Sequence, residues 1–339
     1  MKGSVGVSED GHRSVQCQSV KIREQRINYR SYLLSYYLHA NTMTETSKEQ
    51  LYMISHNTSN YQCKPVTRFI FIKTMKTGGS TTANIFIRYG MKHHLYTAAY
   101  NIRNFSCTNL TGFDYMAMHL RYNRTWMDSI IRDAKYITIL RSPYTQLPSA
   151  FYYFKFAKPL LKYPDPFRQY IENLDNYTNF TDEHHQHRNG QMWYLNSLFE
   201  ESGQDNVTSI QIAIKRIDRE IDFVIILEHF DESLVVLKKY MCWNDNDVIY
   251  HITKRSRKRN TLTQVMKANI RKWNRADMLL YEHYNRSLWE RIKNYDGDFN
   301  EDLRKFRRVA KLASLECSLD NAYVIGSFCW KMLNDTPKL

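Results

Sequence analysis

Six cysteines, Cys17, Cys63, Cys107, Cys242, Cys317 and Cys329, occur without a C-x-x-C pair. That spacing supplies neither a zinc ribbon nor a thioredoxin-type redox motif. Long apolar runs are missing too. A helix that crosses a bilayer needs roughly 20 mostly apolar residues, and the nearest stretch, Tyr32-Leu33-Leu34-Ser35-Tyr36-Tyr37-Leu38, is too short and too polar. Met1 is not followed by the basic-then-apolar pattern of a secretory signal. Either an anchor is missing from this sequence or the protein is not anchored in the usual way. Acidic residues are in short supply: 34 Asp+Glu against 48 Lys+Arg leave a net charge of +14. Such an excess suits a polyanionic ligand, a nucleic acid or an anionic surface and does not choose among them. With no aromatic RNP pattern or other recognised module, RNA binding rests on charge alone.

What is present is enough for a substantial core. The 339 residues are 43% hydrophobic and 14% aromatic, one folded domain with tails being the economical division. We expect a stem or poorly ordered extension over 1–63, rich in Ser, Asn, Gln and Thr, a main domain over 64–310, and a C-terminal extension over 311–339. Nine N-x-[ST] sequons begin at Asn57, Asn104, Asn109, Asn123, Asn176, Asn179, Asn206, Asn285 and Asn334. Their number favours a lumenal, glycosylated protein, a setting in which disulfides can form.

The chain is organised around Phe69-Ile70-Phe71-Ile72-Lys73-Thr74-Met75-Lys76-Thr77-Gly78-Gly79-Ser80-Thr81-Thr82 and the apolar residues that follow. An apolar run broken by a glycine pair and continued helically reads as strand, tight loop, helix. Glycines let the backbone approach an oxyanion, and the N-terminus of the following helix favours negative charge. Lys76 adds a charge, and Thr77, Ser80 and Thr81 add hydroxyls. A nucleotide-triphosphatase loop requires G-x-x-x-x-G-K-[ST]; here the lysine precedes the glycines, which argues against that class.

Two later stretches supply partners. Phe113 to Met118 is a short, largely apolar run that delivers His119 and Arg121 to its end. Tyr136-Ile137-Thr138-Ile139-Leu140 reads as a buried strand, followed by Arg141-Ser142-Pro143 with Pro143 suited to the first turn of a helix. Ser149 lies two turns along that helix, so Arg141 and Ser149 suit one phosphate, the first as a bidentate donor and the second as a directional one.

Together these stretches resemble the galactose-3-O-sulfotransferase family. The likeness runs from about Arg68 to about Lys293. It takes in the Lys73–Ile85 loop, Met118-His119-Leu120-Arg121-Tyr122-Asn123, the Tyr136–Pro143 stretch with Ser149-Ala150-Phe151, Asp222 to Ser233, Cys242-Trp243, and Trp273-Asn274-Arg275-Ala276-Asp277 onward to Trp289. The resemblance implies a P-loop-like sulfotransferase fold, an α/β domain whose mostly parallel sheet carries helices on both faces. It implies a Golgi membrane enzyme with a lumenal catalytic domain, transferring a sulfuryl group from 3'-phosphoadenosine-5'-phosphosulfate (PAPS) to the 3-hydroxyl of a terminal galactose on a glycolipid or glycoprotein, without a metal and without a nucleic-acid partner. By the same resemblance Lys73, Lys76, Thr77, Gly78, Gly79, Ser80 and Thr81 hold the 5'-phosphosulfate, and Arg141 and Ser149 the 3'-phosphate. Members of the family carry histidines where this chain has Met75 and Met118. The alternatives are a sulfotransferase-like binding protein without turnover and a 2-O-sulfotransferase acting on another glycan.

For chemistry, Lys76 is the candidate for charge on the leaving phosphate and His119 the candidate base, since a sugar hydroxyl needs a base that is neutral near physiological pH. The reserve candidates are His93, His94, Glu228 and the His184–His187 cluster. Phe223 to Leu227 reads as a further strand, Ser233 to Met241 as a helix, and Thr261 to Ile292 as one or two helices. The basic run Lys254 to Arg259 reads as a solvated loop, and the aromatics Tyr152, Tyr153, Trp193 and Tyr194 as core more readily than as a sugar platform.

Overall fold

A computed structural model describes residues 63–98, 112–177, 188–195, 205–250 and 261–319. The expectations for the 1–63 extension, Cys63 apart, for the His184–His187 cluster and for the Lys254–Arg259 run lie outside the described residues. Among those described, four short strands make one parallel sheet: β1 (Phe69–Ile72), β2 (Tyr115–Met118), β3 (Lys135–Leu140) and β4 (Phe223–Ile226), in the order β2-β1-β3-β4. All but Lys135 of their residues are buried, as befits strands covered on both faces, and this is why each reads as a continuous apolar run.

The helices are α1 (Gly79–Lys92), α2 (Arg124–Ile130), α3 (Pro143–Tyr153), α4 (Pro166–Glu172), α5 (Gly190–Leu195), α6 (Val207–Glu220), α7 (Phe230–Met241), α8 (Asp245–Val248), α9 (Gln264–Trp273), α10 (Arg275–Lys293) and α11 (Phe299–Leu319). The architecture is the expected α/β one. The Thr261–Ile292 stretch divides into two helices at Asn274, which closes α9 and opens α10. Among the described residues no helix is long and apolar enough to cross a membrane.

Register decides what meets at the site. Ile72 pairs with Met118 on one side and with Thr138 on the other, and Leu140 pairs with Ile226. Lys73, His119, Arg141 and Leu227 therefore leave the sheet at the same, carboxyl edge. Because the chain runs from β1 outward to β2 and then returns to the other side of β1, the order reverses between β1 and β3. Ligands of open parallel sheets bind at such a reversal.

Two apolar clusters hold the edge in place. In the main one α1 lays Phe86 and Tyr89 on β1 and on Trp243, with Phe71 stacked on Phe86 at 4.9 Å and Tyr89 on Trp243 at 3.7 Å. A smaller cluster joins Leu147 and Phe151 of α3 to Phe167 and Tyr170 of α4 and to Ile270 and Trp273 of α9. Each large side chain so buried contributes about 1.5–3 kcal/mol. The second cluster thus fixes the helix that follows Arg141.

A disulfide between Cys63 and Cys242 ties the segment entering β1 to the end of α7. Beside it Val66 N–H donates to Met241 O at 2.9 Å, and Trp243 Nε1–H donates to Val66 O at 3.0 Å. Some sequons have structural duties: the Asn123 and Asn206 side chains cap α2 and α6 by accepting from Trp126 and Ser209 N–H, and Asn285 lies half-buried in α10.

Candidate active site

The loop after β1 is bolted to the end of β3. Thr138 Oγ1 donates to Ile72 O at 2.9 Å, Thr74 Oγ1 to Ile139 O at 2.7 Å, Gln146 Nε2 to Met75 O at 3.1 Å, and Arg141 Nη1 to Lys76 O at 3.0 Å. Thr77, fully buried, turns its hydroxyl inward to Thr74 O at 3.1 Å. Thr74 and Thr77, the second of them a ligand candidate in the sequence, thus shape the loop from behind. Lys76 has φ 60 and Gly78 φ 81, so two left-handed residues bend the chain into the start of α1. That conformation is costly for lysine and persists only where surrounding bonds impose it.

Gly78 and Gly79 are required for different reasons. A Cβ on Gly78 would stand 2.6 Å from Leu227 Cδ1, and one on Gly79 would stand 2.6 Å from Lys73 Cγ. The first turn of α1 has no side-chain cap and no acidic residue. Lys73 packs its side chain against Gly79 in this turn, Lys76 belongs to the loop that leads into it, and the Arg141 guanidinium bonds Lys76 O. An uncapped helix start with cations beside it suits a phosphate or sulfate group. Ser80 and Thr81 lie half-buried in the same turn.

His119 follows β2 and its Nδ1 lies 2.8 Å from Lys73 O. A carbonyl only accepts, so Nδ1 carries the proton and Nε2 holds the lone pair. The ring's position lowers its pKa to about 4, first because protein displaces water around it and then because Lys73 and Lys76 repel a second cation, the bond to Lys73 O opposing them. The residue is nevertheless open to solvent on its outer side, and the two lysines act in the same downward direction as the loss of water. The imidazole therefore stays neutral further below neutral pH than an ordinary histidine does.

Arg141 is anchored on three sides. Its Nε–H donates to Thr145 Oγ1 at 2.8 Å, its Nη1 reaches Lys76 O, and its backbone is gripped by Gln191. Burial pulls its pKa down and Glu228 opposes this; an arginine starts so far above neutrality that it remains a cation. Glu228, just past β4, accepts from Ser142 N–H at 3.1 Å and from Thr145 Oγ1 at 2.9 Å, and bonds the Tyr281 hydroxyl. Ser149 stands half-buried two turns along α3 and takes no part in the bonds that fix Arg141.

Other candidates divide by position. His93 and His94 close the far end of α1, about 20 Å along its axis from the glycines at 1.5 Å per residue. Met118 is buried within β2, and Met75 lies half-buried in the loop. Of the aromatics, Tyr194 is buried and Trp193 half-buried under the Arg121 guanidinium at 4.2 Å, whereas Tyr152 and Tyr153 are exposed. Tyr153 lies outside the core and its ring receives the Lys76 ammonium at 3.7 Å. Gln191, Thr74 and Gln146 are contributors that the sequence did not single out, and Glu228, a reserve candidate for the base there, instead braces Ser142 and Thr145.

A parallel sheet with a glycine loop at its switch point, an uncapped helix start after that loop and a neutral imidazole beside it define an α/β protein with a phosphate-loop-like fold. Residues 27–322 match the family model described as Galactose-3-O-sulfotransferase, and the chain belongs to that family. It is 30% identical to human galactosylceramide sulfotransferase over 288 residues, covering 77% of this chain and 64% of that protein. Similar likenesses are found to human galactose-3-O-sulfotransferase 2, at 30% over 276 residues covering 74% and 68%, and to mouse galactose-3-O-sulfotransferase 3, at 30% over 249 residues covering 66% and 56%. The chain spans less than two thirds of the length of the galactosylceramide sulfotransferases it matches.

Proposed function

We propose that the protein is a carbohydrate sulfotransferase that moves a sulfuryl group from PAPS to the 3-hydroxyl of a terminal galactose, on a glycolipid of the galactosylceramide type or on a glycoprotein. The observation that carries this reading is the bond from His119 to Lys73 O, which sets a neutral imidazole beside the glycine loop and its lysines.

PAPS, when bound, supplies an activated sulfuryl group and a bisphosphate leaving group. The helix start at Gly79 to Thr81, with Lys73 and Lys76, would hold the 5'-phosphosulfate. Thr77, its hydroxyl engaged by Thr74 O, would contribute through its backbone. Arg141, and with it Ser149, would take the 3'-phosphate. Lys76 has to leave the Tyr153 ring to follow charge as it grows on the leaving oxygen, a role in which a positioned cation is worth most at the transition state. His119 Nε2 is the atom that would accept the acceptor's proton, its other nitrogen being committed. A lumenal, Golgi-membrane setting fits the Cys63–Cys242 disulfide, since such bonds persist in oxidising compartments.

Donor binding provides the first test. Arg141→Ala should weaken adenosine 3',5'-bisphosphate by roughly ten- to a hundred-fold, the worth of one charged hydrogen-bonded contact, and leave adenosine 5'-phosphate nearly unaffected. Calorimetry giving equal losses for the two nucleotides would remove Arg141 from the 3'-phosphate.

A further inference from the structure

The backbone of Arg141 lies just past the end of β3, where the ladder to β4 stops. Buried peptide groups beyond a strand end require other partners, and one side chain supplies both. Arg141 N–H donates to Gln191 Oε1 at 2.8 Å, and Gln191 Nε2 donates to Arg141 O at 2.9 Å. This closed pair works with the amide in one orientation only. Asp277 selects that orientation, because its Oδ2 accepts from Gln191 Nε2 at 3.4 Å and from Gln191 N–H at 3.0 Å while its Oδ1 accepts from Met192 N–H at 2.7 Å.

The support behind the pair is reciprocal. Asp277, in the first turn of α10, caps the first turn of α5; Asn189, just before α5, caps α10 by accepting from Ala276 and Asp277 N–H at 3.1 and 3.2 Å. Asn274 Oδ1 then takes Asn189 N–H at 2.8 Å. All four side chains are buried: Gln191, Asn189, Asn274 and Asp277 are each 1% exposed. Burial of a carboxylate among neutral donors is unfavourable, and it pushes the Asp277 carboxyl up to about 6, the three N–H groups opposing the rise. A helix junction needed only for stability could be made of apolar side chains at no such cost. Here the polar groups converge on the residue whose guanidinium faces the loop.

We propose that Gln191, oriented by Asp277, is the positioning residue that sets Arg141 for the 3'-phosphate of the donor, an inference that rests on the donor reading above. Arg141 is a long lever, so a small rotation of its peptide swings the guanidinium away from Lys76 O and from its ligand. α5 acts on the base side as well: Tyr122 N–H donates to Tyr194 O at 2.7 Å, and Arg121 Nε to Trp193 O at 3.3 Å, close to His119. One short helix thereby braces the ends of both β2 and β3.

The experiment titrates adenosine 3',5'-bisphosphate and adenosine 5'-phosphate by calorimetry into the wild-type chain and into Arg141→Ala, Gln191→Leu and Gln191→Glu, with a thermal midpoint for each. The nearly isosteric Gln191→Glu keeps the acceptor for Arg141 N–H but, holding at most one proton beside the Asp277 carboxyl, no longer donates to Arg141 O and to Asp277 at once, so it reports even if Gln191→Leu does not fold. The wild type should prefer the bisphosphate and Arg141→Ala should lose that preference. Gln191→Glu should cut it roughly tenfold, the worth of a single charge-linked bond, with adenosine 5'-phosphate affinity held within about threefold. A wild type without preference would overturn the donor reading itself. A preference lost in Arg141→Ala but intact in Gln191→Glu would overturn the positioning role alone, as would a parallel loss of both affinities in step with the thermal midpoint.

Discussion

At the scale of single residues, His119 and Lys76 should fail in different ways. His119→Ala should leave donor affinity nearly intact and lower turnover by something like 10²–10⁴-fold, the usual worth of a general base. Its pH signature has a defined sign. The neutral imidazole is the active form and its pKa in the free protein is about 4, so kcat/KM for the donor should stay level below neutrality and fall only as pH drops through that value. A bound phosphosulfate would offset the charges of Lys73 and Lys76, and the limb in kcat should then lie at higher pH than the limb in kcat/KM. Lys76→Ala should depress donor affinity and turnover together, because the cation meets the donor before and during transfer. Pre-steady-state rates and donor titrations on the same preparations check both; an unchanged acidic limb in His119→Ala would exclude it as the base.

Among the elements, the glycine loop was plain in the sequence because a buried strand, a glycine pair and a helix occupy consecutive residues. β3 with Arg141 and β4 were legible for the same local reason. The order β2-β1-β3-β4 was not, since it depends on pairings between strands tens of residues apart. Gln191 and Asp277 were hidden for a related reason: a glutamine and an aspartate 86 positions apart look like ordinary polar residues until two helix starts are brought together. The only trace was Trp273-Asn274-Arg275-Ala276-Asp277, noticed as part of a resemblance and not as a cap. The bond that the Thr77 hydroxyl makes to Thr74 O was not legible either, for a hydroxyl in a phosphate-type loop is as useful for building the loop as for touching a ligand. The loop also makes a prediction. Gly78→Ala combines left-handed backbone with a 2.6 Å contact on Leu227, whereas Gly112, at φ 103, has open space around it. Gly78→Ala should cost about 1–3 kcal/mol and weaken donor binding, and Gly112→Ala should cost less and leave the donor untouched. Denaturant midpoints and nucleotide titrations compare the two; equal effects would mean that the loop is not held against Leu227.

For the whole molecule, the carboxyl edge of the sheet is held by contacts far from it in sequence. The Cys63–Cys242 bond closes a separation of 179 residues, and its loss should cost about 2–5 kcal/mol. Thermal midpoints of the wild type and Cys63→Ser, with and without reductant, measure this: the wild type should fall to the level of the variant under reductant, and an indifferent midpoint would show that the bond adds nothing. The central claim is that this edge transfers sulfuryl groups to galactose, and labelled-sulfate transfer from PAPS to a panel of terminal β-galactosides, with linkage analysis of the product, tests it most directly. The account predicts label on the galactose 3-hydroxyl with the wild type and its loss in Lys76→Ala and His119→Ala. A folded wild type that binds adenosine 3',5'-bisphosphate yet labels none of the panel, or labels a different hydroxyl, would contradict it.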